Sequence, residues 1–242
     1  MENTKNNSIS SIIIGISIIV CTIIFSVVFY SSRYSSDSLT VTGSASMQVV
    51  SDNAKFTGEF TRIAKVSVLG TGYSQIANDL TKVKAFLKTQ GIDDKDITIS
   101  TVSMYENYNY DKNYQTEKEY ILRQQVEISS KDIDKITSLA QSAQQLINQG
   151  VIFSVNPVEY YYSKLPDVRV NLLSDAIKDA MARANKMAES TGKKVGNLKS
   201  ASSGVVQVLP SNSLEISDYG TYDTSKINKN IMVTVKASFG MK

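Results

Sequence analysis

The chain has 242 residues, 26 basic and 23 acidic, for a net charge of +3, with one Cys and neither His nor Trp. So small an excess of positive charge argues against a nucleic-acid-binding surface. With no His anywhere and the lone Cys at position 21, the chain beyond residue 30 cannot build a Ser-His-Asp triad, a Cys-His pair, a zinc site of the usual ligands, a haem His or a disulfide.

Residues 1–8 form a polar head, and residues 9–30 an apolar span in which Ser11 to Tyr30 carry no charge and no Pro. About 20 apolar residues of helix cross a hydrocarbon core, and Tyr30 stands where an interfacial aromatic belongs. Cleavage as a secretory signal is the competing reading. The apolar run exceeds the usual h-region, however, and no A-x-A-like site follows it, so an uncleaved transmembrane anchor is favoured. Lys5 with the free amine on one side, against Arg33 offset by Asp37 on the other, predicts an inner N-terminus and a domain outside the cytoplasm, in a periplasm or at the cell surface. Cys21 follows Ile18-Ile19-Val20 rather than a small residue, so it reads as an apolar side chain within the anchor and not as a lipidation site.

A serine-rich linker, residues 31–38, leads into a domain over residues 39–242. Its first stretches, Leu39 to Val50 and Ala54 to Val66, have strand character and read as a hairpin turning at Ser51-Asp52-Asn53. Phe56, Gly58, Phe60 and Arg62 share one face of the second strand, and Thr57, Glu59 and Thr61 the other. A helix is predicted from about Ser74, with Ile76, Leu80, Val83 and Leu87 as its core stripe, Gly70-Thr71-Gly72 as a flexible lead-in and Gly91 as its C-terminal cap. Asp93, Asp94 and Asp96 lack the ligand spacing of a Ca²⁺ loop and predict a polar turn before a strand over Ile97 to Val102.

Tyr105, Tyr108, Tyr110, Tyr114 and Tyr120 fall among polar residues and predict an exposed aromatic hairpin, the candidate interaction site, returning through Ile121 to Ile128. A second helix opens with Ser129 and Asp132 as a capping box and presents Ile133, Ile136, Leu139, Ala140, Ala143, Leu146 and Ile147. It ends at Gln149-Gly150 as the first ends at Gln90-Gly91, each before a strand that closes on tyrosines, here Val151 to Tyr162. The repetition predicts two related strand-helix-strand units in one sheet system. The longest helix runs from near Asp167 to Thr191 with Leu173, Ile177, Ala180, Ala184 and Met187 as its stripe, its alanines admitting another backbone closely; Gly192 ends it. Strands over Ala201 to Leu209 and Ile231 to Phe239, separated by a polar excursion over 210–226, complete the fold.

Ser190-Thr191-Gly192-Lys193 fits the S-x-x-K string of penicillin-interacting enzymes, but the Ser closes a helix instead of opening one and no S-D-N or K-T-G follows. No catalytic residue, cofactor or metal site is therefore assigned. Met47, Met104, Met181, Met187 and Met232 are expected to be core-like, and a domain without Cys has no thiol to cycle against oxidants.

Together, V-T-G-S-A at 41–45, the strand from Asp52 to Phe60, the helix ending at Gly91 before D-I-T-I-S at 96–100, the tyrosine hairpin, the Gly150 turn and D-A-I-K-D-A-M-A-R-A-N-K-M-A-E-S-T-G at 175–192 resemble the SIMPL-domain family, which includes bacterial periplasmic immunogens and proteins labelled oxidative stress defence. The resemblance spans about Leu39 to Phe239. It implies an exported α+β domain with a curved antiparallel sheet and packed helices, sometimes assembled into rings, and without established catalytic residues. The expected function is non-enzymatic self-assembly or partner binding at the envelope, with a homo-oligomer the expected partner. The alternative is an envelope enzyme or small-ligand-binding protein using carboxylate or Ser/Lys groups, which a convergent acidic pocket would favour.

Overall fold

The computed structural model describes residues 2–33, 38–107, 117–213 and 217–242. The fold is mixed α+β, with two sheets and an N-terminal apolar helix. That helix, α1 (Glu2–Arg33), contains an 18-residue stretch, Ile13–Tyr30, long and apolar enough to cross a membrane. Two of its hydroxyls are bonded within the helix. Ser17 Oγ donates to Ile13 O at 2.9 Å and Thr22 Oγ1 to Ile18 O at 2.8 Å, which removes the cost of placing them in hydrocarbon. Cys21 lies on the exposed surface of α1.

The chain divides into two compact units, one of residues 1–43, 176–203 and 235–242, the other of residues 44–175 and 204–234. Within the larger, β2 (Asn53–Lys65), β3 (Ile97–Ile99), β5 (Glu119–Ser130) and β6 (Phe153–Val155) form a sheet in the order β3-β5-β2-β6; β4 (Ser103–Glu106) also pairs with β5, and β7 (Glu159–Tyr161) with β2. Against it pack α2 (Leu69–Thr89), α3 (Ile133–Ser142) and the single turn α4 (Gln145–Asn148). Phe56, Phe60, Ile76, Val83, Leu87, Leu122, Ile128, Ile136, Leu139 and Phe153 make the core between them. The period-2 face of β2 and the α2 stripe are thus as predicted.

Several expectations fail for local physical reasons. β1 (Ser38–Val50) and β2 are not a hairpin: β1 pairs with β10 (Asn228–Met241), while β2 enters the other sheet. At their junction the Ser51 N–H donates to Ile227 O and the Asp52 N–H to Tyr161 O, so the turn connects two sheets rather than two partners, and there is no single sheet system. α2 begins at Leu69, not Ser74. Gly72 is inside it because a Cβ there would stand 2.6 Å from Ala64 Cβ, and the glycine lets helix meet strand. The strand after Asp96 stops at Ile99, where Ser100 Oγ captures the Gln125 N–H and breaks the ladder before β4. Likewise Asn156-Pro157 split the strand expected over 151–162 into β6 and β7, since Pro has no N–H to donate. The cap of α3 is Asp132, whose carboxylate accepts the Lys135 N–H at 3.0 Å, and not Ser129. Ile147 is exposed. Gly91, Gly150 and Gly192 do adopt positive φ, 73°, 77° and 70°, as helix-terminating positions require.

The second sheet has the order β1-β10-β8-β9, with β8 (Val195–Pro210) and β9 (Thr221–Tyr222). β9 runs parallel to β8, with Gln207 opposite Thr221; the excursion over 210–226 is thus partly strand and the sheets are not wholly antiparallel. β1, β8, β10 and α5 (Leu165–Glu189) each contribute segments to both units. The buried stripe of α5 is Val168, Leu172, Ala176, Ala180, Ala184 and Ala188, while Met187 is 52% exposed, so the predicted stripe is rotated from the real one. Small side chains win there because the backbone of β1 presses in: a Cβ on Gly43 would sit 2.1 Å from Ala176 O and 2.4 Å from Ala180 N. Met47, Met104 and Met181 are exposed as well, against expectation; Met47 shares the phase of buried Val49, and Met104 stands opposite buried Leu122, yet neither is covered.

Candidate functional site

On the solvent face of the larger unit's sheet, Ile63 of β2 stands opposite Ile121 of β5, and Ile121 opposite Tyr105 of β4. This cross-strand row is an apolar ridge, with Ile63 55% and Tyr105 54% exposed. Val66 and Val68, just past β2, extend the exposed apolar area. Beside the ridge the face turns charged. The Arg123 guanidinium lies 5.7 Å from the Tyr105 ring centre and 3.1 Å from Glu59, a cation-over-ring contact that holds the phenol ring in place. Lys55 lies 3.0 Å from Glu127 and 3.7 Å from Glu159, and its hydrogen bond to Glu127 holds its ammonium pKa above the ordinary value.

Of the two candidate tyrosines among the described residues, Tyr105 and Tyr120, the first belongs to this face. Tyr120 pairs with Glu106 and Ala64, one residue out of phase with Ile121, and is half-buried on the opposite side. Tyr108, Tyr110 and Tyr114 lie outside the described residues. The base of the hairpin is firmly tied: the Asn107 N–H donates to Glu119 O at 2.8 Å, the Val66 N–H to Lys118 O at 2.9 Å, and the Ser67 N–H to Glu117 at 2.7 Å. The Ser67 contacts hold the Glu117 carboxyl below its usual range.

Two polar clusters went unrecognised in the sequence. Arg62 donates to both carboxylate oxygens of Asp79, at 2.5 and 2.8 Å, and to Gly150 O at 2.6 Å, joining β2, α2 and the turn after α4. Asp79 is only 1% exposed. The signal was there, since Arg62 sits in the core-facing phase of β2. In the second cluster Lys229, fully buried, donates to Asp223 O, lies 3.7 Å from the Asp223 carboxylate, and faces the Tyr222 ring at 5.7 Å. Burial lowers the Lys229 pKa. For Asp223 burial acts upward, but the Ser225 hydroxyl and amide, the Lys226 amide and Lys229 outweigh it and hold the carboxyl low. Lys229 continues the inward phase of Ile231, Val233 and Val235, which is how sequence could have found it. Both clusters are internally satisfied, and Lys229 is too enclosed to meet a substrate.

The Asp223 turn borders two adjoining depressions of about 480 and 510 Å³ that share Tyr160 and Ser225. Their polar lining comes from Thr137, Gln141, Asn156, Ser211, Asn212, Asn228 and Lys226. Hydroxyls, amides and one ammonium can orient a neutral or anionic ligand, but they offer no carboxylate pair for acid–base work. The acidic pocket that would favour an enzyme is not found in these depressions. Ser190 Oγ, of the S-x-x-K string, donates to Met187 O at 2.7 Å, as a helix-terminal serine does.

Residues 39–239 match the family model SIMPL, described as "Protein of unknown function (DUF541)". The chain is 27% identical over 155 residues to "Uncharacterized protein YggE" of Edwardsiella ictaluri (strain 93-146), across 64% of this chain and 62% of that protein, so it spans less than two thirds of the length of this curated relative. The order of strands and helices, the small-residue contacts and the glycine-terminated helices are therefore those of a chain that belongs to the SIMPL family.

Proposed function

We propose that this chain is a membrane-anchored, envelope-exposed SIMPL domain that works by binding protein, first of all further copies of itself, and not by catalysis. The observation that carries the reading is the Tyr105–Ile121–Ile63 ridge, an apolar row at the base of the tyrosine hairpin with charged ladders beside it. Aromatic and aliphatic side chains on a hydrogen-bonded strand lose little entropy when covered, which suits a protein interface. The anchored reading draws on α1 and its internally bonded hydroxyls, and the side of the membrane on the flanking charges. Any role in stress tolerance is then indirect, through assembly at the envelope. The strand order β3-β5-β2-β6 supports reading β2-α2-β3 and β5-α3-β6 as two related strand-helix-strand units in a curved sheet, which would hold the ridge rigid.

The test is the mass of the full chain in mild detergent by light scattering, set against Ile63→Asp/Tyr105→Asp and a variant lacking residues 106–118. Both variants should show a lower assembly state with unchanged circular dichroism. Native mass in two folded variants would end this reading. It would leave the Tyr160–Ser225 depressions, and with them a small-ligand-binding function, as the better one.

A further inference from the structure

The net charge of +3 conceals a separation. The smaller unit, counted over residues 38–43, 176–203 and 235–242, has eight basic and two acidic side chains; the larger has sixteen basic and nineteen acidic. The two therefore stand at +6 and −3, and all eight basic residues of the smaller unit are exposed. Within it, two depressions of about 590 and 510 Å³ share Met187. One sets Val41 beside Arg183 and Lys186, and the other sets Leu39 and Met241 beside Lys193. We infer that this basic, amphipathic surface docks on the anionic phospholipid headgroups of the same bilayer that α1 enters.

Three observations converge on that occupant. Cationic stems over apolar side chains are what an interfacial surface uses, with ammonium and guanidinium groups on phosphates and methylenes at the glycerol level. The ion pairs Arg183–Asp179 at 2.8 Å and Lys186–Glu189 at 3.0 Å are partly or fully exposed and weak in water, so phosphate can compete for these two cations. The tether is short: from Arg33, where α1 ends, to Ser38, where β1 starts, are five residue steps, which reach at most about 18 Å however the chain runs. A soluble polyanion or an acidic protein would meet the same charges but has no such confinement, whereas anionic lipid is present wherever α1 is embedded.

This inference rests on the anchored reading of α1 but not on the hairpin. The test uses the full chain reconstituted in vesicles of phosphatidylcholine alone or of equal parts phosphatidylcholine and phosphatidylglycerol. With Cys21→Ser, a donor dye on Met187→Cys reports energy transfer to an acceptor on lipid headgroups. Transfer should rise in the anionic vesicles, and fall to the neutral-vesicle level in high salt or in Lys186→Glu/Lys193→Glu/Lys194→Glu. Equal transfer in both vesicle types from carbonate-resistant chain would overturn the docking while leaving the anchor intact. Release of the chain by alkaline carbonate would overturn the anchored reading, and docking with it. Lipid-dependent transfer that survives the triple substitution would also overturn the assignment, because the named charges would then not be its cause.

Discussion

Arg62 and Asp79 show how one side chain decides whether a buried polar group stabilises or costs. With both carboxylate oxygens accepting from the guanidinium and the third contact made by Gly150 O, the hydrogen bond to Asp79 holds Arg62 firmly protonated. Asp79→Ala leaves a largely enclosed cation facing α2 with no counter-charge, and should lower the unfolding free energy by about 3 kcal/mol. Urea titration of the detergent-solubilised chain measures it, and Arg62→Met/Asp79→Leu should recover much of the loss because the charge goes with its partner. Asp223 contributes to the pH dependence. Its folded pKa lies below the ordinary 3.8, so its contribution is complete above that value and disappears as pH falls through the folded pKa. Melting temperature should drop below about pH 4, and the acid limb should be shallower in Asp223→Asn. Both clusters were half-legible in sequence: the inward phase of Arg62 and Lys229 could be counted off their strands, but Asp79 lies on a separate helix and Asp223 in the turn before β10, and neither strand nor helix period pairs them.

Elements were legible where their own residues decide them and illegible where a distant backbone does. The alternation of β10 and the glycine stops of three helices followed from period and φ alone. Partner choice did not, because a strand's neighbour is fixed by contacts far along the chain: β1 looks like half of a hairpin with β2, yet pairs with β10, some 190 residues on. The α5 stripe failed for a related reason. Its largest apolar residues suggest one face, but the face in contact is the alanine ladder, since Gly43 brings β1 against the helix backbone at Ala176 and Ala180. Gly43→Val cannot be absorbed by a rotamer change, as the obstacle is main chain, and should cost about 3 kcal/mol or more. Met187→Ala, on the exposed side of the same helix, should stay within about 0.5 kcal/mol. The two unfolding curves, measured side by side, test the rotation of the stripe directly.

For the molecule as a whole, the apolar helix, the charge separation and the exposed ridge bear on one question, whether α1 stays attached. The chain supplies its own reporter, because Cys21 is its single cysteine and lies inside Ile13–Tyr30 on the surface of α1. If α1 is an anchor, the protein purified from membranes and denatured must carry one thiol per chain. In intact vesicles that thiol should be protected from maleimides, since the thiolate they need does not form in hydrocarbon and a charged reagent does not enter it, and it should label once the chain is denatured. If the helix is removed as a signal, the mature chain has no thiol at all, and no maleimide labels it under any condition. Zero thiols would detach the domain from the bilayer, and the +6 surface would then have to act as part of a freely diffusing protein. One protected thiol would keep that surface within a short tether of the headgroups, where its charge has an obvious partner.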